Sequence, residues 1–548
     1  MINLLSHIRT KASHLAFNNI LYNWSLGGAV PHGFIVPLTD TWPGVMERGR
    51  WLCSGAFAMD GEMLEMHDEH SCGSFWEPAG VGDNWLFHMH GFSWLRDLKA
   101  LGGEEARLQA RNMVKSWAKR YGACQPSFWR SDYIGARLAN WISFYDFFGE
   151  SAEEEFQDRF FTILIRQARH LSRSLQTCPA GLPVFYAIKG LIYAGIALEG
   201  RESWLEQALD LLQQENRKQI LPDGGHISRN SEKLLEALQI VIDIRMALLA
   251  GGYPVPVALE HTIDRMAQAL RFFRYADKSF AVFHGAQEGD MALTDAILAR
   301  SNARGKVLKG LPQTGFERMM MGRSQVMMDC GMPPPSPYDK GAHASPLAFE
   351  FIYGKERIFI SCGSHPLDPV WQDSLRATAA HNTMTMNYRN SCEIRPDHHL
   401  GRKPRKVTLD RQDTKDAVLV EATHDGYVPL NGITHRRRLY LGNGGHDFRG
   451  EENLTCSVGV QNPAEIVLRF HLHPRVLVSL IQGGSEALLR LPGGAGWRFL
   501  HDGGRLALEN SIYLGEGTRP RKTKQLVIYG TMSGDYARIK WALQREAR

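Results

Sequence analysis

The feature that most constrains the fold is a change in hydrophobic period near Leu308. Before this residue, apolar residues recur at helical spacing. The clearest run is 232–250, which Asn230 or Ser231 can cap and Gly251-Gly252 can end. After Leu308, apolar residues alternate with polar ones, as they do in half-buried strands. Helices first and strands second indicate two domains rather than an alternating α/β fold.

Each half contains several separate segments. We predict helices over 104–120, 131–148, 152–175, 183–198, 232–250 and 257–274. We predict strands over 325–328, 348–353, 357–360, 383–386, 417–422, 437–441, 465–471, 505–509 and 525–529. Glycine-rich turns such as 442–445 separate the strands, which is typical of an antiparallel β-sandwich.

A chain of 548 residues is longer than a domain with a single hydrophobic core usually is, which agrees with a multidomain protein. We predict an N-terminal arm of short strands and turns at 1–80. A helical domain follows at 81–305 and a β-sandwich domain at 312–548, with the boundary between about 300 and 315.

Composition narrows the class of protein. The net charge of +5 is small, hints only weakly at an anionic partner, and does not indicate nucleic-acid binding. The eight cysteines are scattered and form no CxxC pair, which argues against a zinc ribbon or a disulfide scaffold and fits a reducing compartment. The sequence shows no secretory leader and no run of ~18 apolar residues. We therefore expect a cytoplasmic protein without a membrane span.

Polar groups gather at strand entrances within the segment 328–387. His343 lies in a Pro-rich loop before one predicted strand, and His381 and Asn382 precede another. A rigid sheet can hold such groups at the wall of a cleft. We therefore expect this segment to present two imidazoles and an amide to the helical half.

The layout and several motifs resemble the heparinase II/III-like family of polysaccharide lyases. The motifs are Asp329-Cys330-Gly331, Ala342-His343-Ala344, Ala380-His381-Asn382-Thr383, Pro222-Asp223-Gly224-Gly225-His226, and Arg137 with Asn140-Trp141. The resemblance implies an α+β multidomain fold, an incomplete α/α toroid followed by an antiparallel β-sandwich, with an acidic polysaccharide in the cleft between them. It also implies the cell envelope or periplasm as an alternative compartment.

The chemistry that the resemblance implies is β-elimination at a uronic acid. Such an enzyme neutralises the C5 carboxylate, removes the C5 proton and protonates the departing C4 oxygen. The candidates for proton transfer are His226, His343, His381 and Tyr186, and those for substrate binding are Arg137, Arg229, Arg376 and Asn382. We expect no cofactor, with a zinc ion at His343 and His381 as the alternative.

The chain departs from the family's lyases at positions that carry their catalysis. The helix start 181–186 lacks their Asn-His pair, and Lys233-Leu234 stands where a Tyr-His pair is usual. Gly341 and Ser345 replace the outer members of a His-x-His-x-Asp motif, and Ser361 replaces a metal-binding aspartate of some members. The resemblance therefore indicates a divergent branch.

Three functions stay open at this point. The first is an eliminase, and the second is a binding or envelope-associated protein that keeps the cleft without turnover. The third is a glycoside hydrolase, which needs two carboxylates roughly 5 to 9 Å apart. Its candidates are Glu77, Asp83, Asp223 and Glu350. Each site residue also has a structural alternative: a loop cap for the first histidine, internal hydrogen bonds for the other two, ion pairs for the arginines and core packing for the tyrosine.

Overall fold

The computed structural model of the protein describes residues 17, 19–59, 62–65, 75–78, 80–125 and 127–546. Parts of the predicted arm, namely 1–16, 18, 60–61, 66–74 and 79, lie outside the described residues. The chain forms two compact units. One comprises Met1–Gln219, Glu236–Ile263 and Asp295–Ser301, and the other comprises Ile220–Leu235, Asp264–Thr294 and Asn302–Arg548. The predicted limits of the arm and the two domains stay a prediction.

The helices precede most of the strands, as predicted. They are α1 (Ile20–Ser25), α2 (Met46–Cys53), α3 (Asp83–Gly91), α4 (Leu95–Leu101), α5 (Gly103–Tyr121), α6 (Ser131–Phe148), α7 (Glu154–Ser174), α8 (Leu182–Ala197), α9 (Glu202–Gln219), α10 (Ser231–Ala250), α11 (Val257–Phe273), α12 (Met291–Arg300), α13 (Pro369–Leu375) and α14 (Val428–Asn431). The six predicted helices are all present, with ends within two residues of the prediction. The described part of the arm contains α1 and α2 as well as a hairpin, so the expectation of strands and turns alone was wrong there. Local capping explains α1, since the Asn19 side chain accepts a hydrogen bond from the Tyr22 backbone N–H at 2.7 Å.

Helix α8 is largely buried within the first unit, and two glycines explain how it packs. Most of its residues are buried, on all faces. It meets α6 where Gly190 faces Gly135, and a Cβ on Gly190 would lie 2.3 Å from the Gly135 carbonyl oxygen. The one ammonium group that α8 buries, Lys189, donates to Asp243 at 2.7 Å. Close backbone packing and a paired charge therefore fix this helix in its core.

The strands are β1 (Ala56–Met59), β2 (Glu62–Glu65), β3 (Gly310–Leu311), β4 (Phe316–Met321), β5 (Ser324–Asp329), β6 (Phe349–Tyr353), β7 (Glu356–Phe359), β8 (Met384–Met386), β9 (Val407–Asp413), β10 (Ala417–Tyr427), β11 (Ile433–Gly442), β12 (Asp447–His471), β13 (Leu477–Ile481), β14 (Glu486–Arg490), β15 (Gly496–Asp502), β16 (Arg505–Tyr513) and β17 (Arg521–Arg545). β1 and β2 form a hairpin. β3 to β7 form one antiparallel sheet in sequential order.

The second sheet of this unit has ten strands, and β17 lies near its centre. The order is β13-β14-β15-β17-β12-β11-β10-β9, with β8 paired to β12 and β16 paired to β17. All the pairs between these strands are antiparallel. The predicted fold class, a helical region followed by antiparallel sheets, is confirmed.

One hydrophobic core joins the two sheets of the second unit. Phe349 of the smaller sheet stacks on Trp541 of the larger at 5.4 Å between ring centroids. Phe351 likewise stacks on Phe448 at 4.9 Å. Alternate residues of β10 and β11 point into this core, as two-residue periodicity requires.

Within the described ranges, no helix combines the length and the apolar composition that crossing a bilayer requires.

The close approach of α6 and α8 predicts a strict requirement for glycine at position 190. We expect Gly190→Ala to lower the free energy of unfolding by about 1–3 kcal/mol, because the added methyl group forces the helices apart. Gly33→Ala is the matched control, since a Cβ there meets nothing within 4 Å. Denaturant unfolding of both variants measures the effect, and equal stabilities would contradict this account of the contact.

Candidate functional site

The loop before α10 holds the first candidate histidine, His226, inside the second unit. Asp223 shapes the loop by accepting hydrogen bonds from the Gln313 backbone N–H at 2.8 Å and the Thr314 backbone N–H at 2.7 Å. His226 is 2% exposed, and its Nδ1 accepts a hydrogen bond from the Ser228 backbone N–H. Burial, with help from the charge of Lys233, lowers the pKa of His226 to about 3. The ring is therefore neutral at physiological pH.

A buried ion pair follows three residues later. Arg229 adopts a positive φ of 61°, which turns its side chain towards Asp329 at the end of β5. Its Nε also donates to the Thr314 carbonyl at 2.6 Å, and its guanidinium lies 4.6 Å from the Phe316 ring centroid. Burial acts to raise the pKa of the carboxyl, but Arg229 and His284 outweigh it and hold the pKa of Asp329 below its usual range. The carboxylate is therefore charged and paired.

Three imidazoles, those of His284, His343 and His381, extend the network that begins with this ion pair. His284 Nε2 lies 2.9 Å from the second oxygen of Asp329. The His343 backbone N–H donates to His284 Nδ1 at 3.2 Å, so the proton of His284 is on Nε2 and points at the carboxylate. His343 Nδ1 lies 3.0 Å from His381 Nε2, which requires one ring to donate and the other to accept. We call the set Arg229, Asp329, His284, His343 and His381 the histidine row.

The histidine row is a buried network. His343 is 2% exposed and His381 is fully buried. Burial lowers the pKa of His381 to about 3, with further lowering by His471 and His284. Burial and the neighbouring rings hold the pKa of His343 well below its ordinary value. Both rings are therefore neutral, and groups of low pKa make weak general bases at neutral pH.

Two predicted substrate-binding residues of the second unit are engaged internally. The Asn382 amide donates to the Phe349 and Ile360 carbonyls at 2.8 and 3.0 Å and accepts from the His471 backbone N–H at 2.6 Å. Arg376 is buried, and its Nε donates to the Ala342 carbonyl at 2.9 Å. These bonds join strands and loops, which favours a structural role for both side chains.

The two remaining candidates belong to the first unit, whereas the candidate histidines belong to the second. Arg137 is fully buried, and its guanidinium donates to Gln167 at 2.6 Å and to the His90 carbonyl at 2.8 Å. Tyr186 donates to Glu236 at 2.6 Å, and burial raises the pKa of its phenol well above the ordinary value. Both side chains have internal partners, so their roles in substrate binding and proton donation stay predictions.

The carboxylates proposed for hydrolysis in the second unit are also engaged. Asp223 holds the loop described above. Glu350 accepts from Tyr275 at 3.2 Å, and burial raises its pKa although Arg357 acts in the opposite direction. These contacts do not make Asp223 and Glu350 a facing pair of carboxylates around a sugar.

The donor set does not suit a metal ion. Zinc sites in proteins use three or four histidine, cysteine or carboxylate ligands. The positions at which the family resemblance implies carboxylates hold Ser345 and Ser361, and their buried hydroxyls make no hydrogen bond within the described residues. No group of three or more candidate metal ligands occurs in the part of the chain that the structure describes.

Two members of the histidine row, Asp329 and His284, were not predicted as site residues. Asp329 appeared in a motif without a role, and His284 was not identified. A signal exists for His284, because Phe283-His284-Gly285 interrupts an apolar run before a glycine with φ of 86°. A polar residue at such a turn inside a core segment usually has a buried partner.

Comparisons with known proteins agree with this architecture. The model for the heparinase II/III N-terminus matches residues 84–302, and the model for the heparinase II/III-like C-terminal domain matches residues 303–542. FtsZ-localized protein C of Caulobacter vibrioides (strain NA1000 / CB15N) is 30% identical over 535 residues, which are 94% of this chain and 91% of that protein.

Solved lyase structures share the fold. A structure of heparinase III has a TM-score of 0.77 at 13% identity and covers 98% of this chain and 91% of its own. The heparan sulfate lyase HepC of Pedobacter heparinus has a TM-score of 0.62 at 15% identity, with coverage of 92% and 83%. At such identities the likeness concerns the fold alone.

The buried ion pair predicts a large effect when only one partner is removed. Arg229→Met leaves the Asp329 carboxylate buried without its cation, so we expect a loss of about 3–5 kcal/mol in the free energy of unfolding. The double variant Arg229→Met/Asp329→Leu should recover part of this loss. Lys99→Met is the control, since Lys99 and Asp146 form an ion pair with side chains 33% and 46% exposed, and we expect less than about 1 kcal/mol there.

Denaturant unfolding provides both comparisons. An Arg229→Met protein as stable as Lys99→Met would contradict the role given to the buried pair.

The neutral buried rings predict a loss of stability in acid. An unfolded histidine takes up a proton near pH 6.5, whereas His226 has a pKa of about 3 in the folded protein. The contribution of His226 is therefore present above about pH 6.5 and falls as the pH drops towards 3. His226→Gln should reduce the slope of unfolding free energy against pH by about 1.4 kcal/mol per unit in this window.

Unfolding curves between about pH 6 and pH 4.5 measure this slope. His32→Gln, at an exposed position, is the control. If His226→Gln and wild-type protein show the same slope, the folded protein does not hold His226 in its neutral form.

Proposed function

Because the chain belongs to the heparinase II/III-like family, we propose that it is a lyase-like protein that has lost turnover and associates with FtsZ. The observation that carries the loss of turnover is the burial of all three candidate histidines. His226 and His343 are each 2% exposed and His381 is fully buried. A base that acts on a polymer must come within about 3 Å of the proton it removes.

The electrostatics of these rings support the same conclusion. An efficient general base has a pKa near the working pH. The pKa values of about 3 for His226 and His381 are far below neutrality. Lys233-Leu234, at the place of the family's Tyr-His pair, also removes the usual acid of β-elimination.

The association with FtsZ rests on sequence likeness. FtsZ-localized protein C shares 30% identity over almost the full length of both chains, whereas the lyase structures share 13% and 15%. Since a scaffold commonly serves several functions, the relative with twice the identity is the better guide to the partner.

Elimination on an acidic polysaccharide is the second candidate, and one observation favours it. Nε2 of His343 makes no hydrogen bond among the described residues, while the other nitrogen is tied to His381. Behind it, Asp329 orients the ring of His284, and His284 Nδ1 accepts a hydrogen bond from the His343 backbone N–H, which fixes the loop that carries His343. A protein that binds the polysaccharide without cleaving it would lie between the two candidate functions.

One pair of assays distinguishes the two candidates. Purified protein is sedimented with FtsZ assembled in GTP, and with unassembled FtsZ in GDP as the control. Separately, it is incubated with alginate, heparan sulfate and chondroitin sulfate while the ultraviolet absorbance of the unsaturated product is followed. We expect sedimentation with the polymers and no rise in absorbance.

Each contrary result has a clear reading. An absorbance rise that His343→Ala abolishes would establish an eliminase and overturn the loss of turnover. Protein that stays in the supernatant with assembled FtsZ would overturn the association. Saccharide binding without a rise in absorbance would identify a carbohydrate-binding protein that does not cleave its ligand.

A further inference from the structure

Strand β13 is the last strand at one end of the ten-stranded sheet. Its residues 477–481 pair with β14 on one side. Apart from that pairing, their N–H and C=O groups form no backbone hydrogen bond within the described residues. Such an uncovered set of donors and acceptors is a template for a further strand.

The side chains of β13 do not protect this edge. The sequence of residues 477–481, LVSLI, contains neither a charge nor a proline, which are two common means of blocking an edge strand. Leu477 is 67% exposed and Leu480 is 37% exposed. Leu488, which lies opposite Ser479 on β14, is 38% exposed. The strand therefore exposes backbone groups and apolar side chains at the same place.

The opposite edge of the same sheet, β9, is blocked by charge. Asp410, Arg411 and Asp413 place three charges within its seven residues. Arg411 also donates to the Glu317 carboxylate at 2.6 Å and to the Arg318 carbonyl at 3.0 Å, which ties β9 to the smaller sheet. The larger sheet therefore offers one edge suited to pairing, and association through that edge closes at two copies.

We propose that β13 pairs antiparallel with β13 of a second copy of the chain, about a two-fold axis at Ser479. In this register Leu477 lies opposite the partner's Ile481, and Val478 lies opposite the partner's Leu480. Each cross-strand pair apart from the central serines is therefore apolar. Because side chains alternate along a strand, the pair of Val478 lies on the face that packs against the core, and the pair of Leu477 lies on the outer face.

The neighbouring strand β14 is compatible with this register. Within one copy, Glu486 lies opposite Ile481 and Arg490 lies opposite Leu477. Across the dimer, each outer line of side chains would run from Glu486 through Ile481 and the partner's Leu477 to the partner's Arg490. The two ends of the line carry opposite charges, and no like charges face each other across the new pairing.

A second copy suits this edge better than a strand from another protein. A foreign strand could use the same backbone groups, but its side chains have no relation to those of β13. The sequence LVSLI is apolar at equal distances on both sides of Ser479, so it matches itself when reversed. A two-fold contact requires this self-match. The surface is separate from the histidine row, and the proposal does not depend on the association with FtsZ.

Sedimentation velocity of the full chain tests for the dimer. We expect the sedimenting species to shift from one copy to two as the protein concentration rises from about 1 to 100 μM, the range in which a small interface associates. A monomer at every concentration would overturn the proposal, and so would growth beyond two copies.

Charges placed at the two-fold axis test the register. Ser479→Lys puts two ammonium groups opposite each other in the dimer, so we expect the dissociation constant to rise roughly tenfold or more. Ser479→Glu should have the same effect through two carboxylates. An equimolar mixture of the two variants should regain the dimer, because a lysine of one copy then faces a glutamate of the other.

Thr408→Lys is the matched control, at an exposed position of the blocked edge β9, and should dimerise like the wild type. Ser479 is also exposed, so we expect both of its variants to fold, which circular dichroism checks. Leu477→Lys, at a position 67% exposed, is a second variant away from the axis and should also weaken the dimer.

Two results would contradict the assignment of the interface to β13. A wild-type dimer that Ser479→Lys and Leu477→Lys leave unchanged would place the contact elsewhere. Two charged variants of Ser479 that remain monomeric after mixing would show that this residue does not lie at the axis.

Discussion

The requirement that a buried charge be paired governs the second unit. Asp329 lies at the end of a central strand with no access to solvent, so its carboxylate needs cationic and hydrogen-bonding partners from elsewhere in the chain. Arg229 and His284 supply them, and they precede Asp329 by 100 and 45 residues in sequence. The ion pair therefore explains why two short pieces of the helical half belong to the same compact unit as the sheets.

A second network repeats this arrangement in the sandwich core. Glu452 accepts from Arg437 at 2.8 Å and lies 2.6 Å from His435. Arg437 also donates to the Asn382 carbonyl at 2.7 Å, which links this network to the loop of His381. Histidines and arginines that look like ligands in the sequence thus serve largely to satisfy buried acceptors. Such networks specify one packing of the two sheets, because a shifted register would leave a charge unpaired.

The division of the chain into a helical and a β part could be predicted, because hydrophobic period reports burial directly. Helix α6 was predicted with its observed ends for this reason. Strands β9 and β13 were missed because their residues are largely exposed and show little alternation. His343 and His381 were correctly located in loops near strands, and His226 before a helix, but the burial of the three rings was not predicted. Whether an imidazole faces a cleft or a core depends on residues distant in sequence, and the pairing of His343 with His381 has no local signature.

The position of β17 has a consequence for synthesis of the chain. This strand contains residues 521–545 and pairs with β12, β15 and β16 in the middle of the larger sheet. On a ribosome, therefore, the ten-stranded sheet lacks a central member until residues 521–545 have left the exit tunnel. Until then, the flanking strands β12 and β15 each expose an unpaired edge. A chaperone that covers these edges would prevent association between nascent chains.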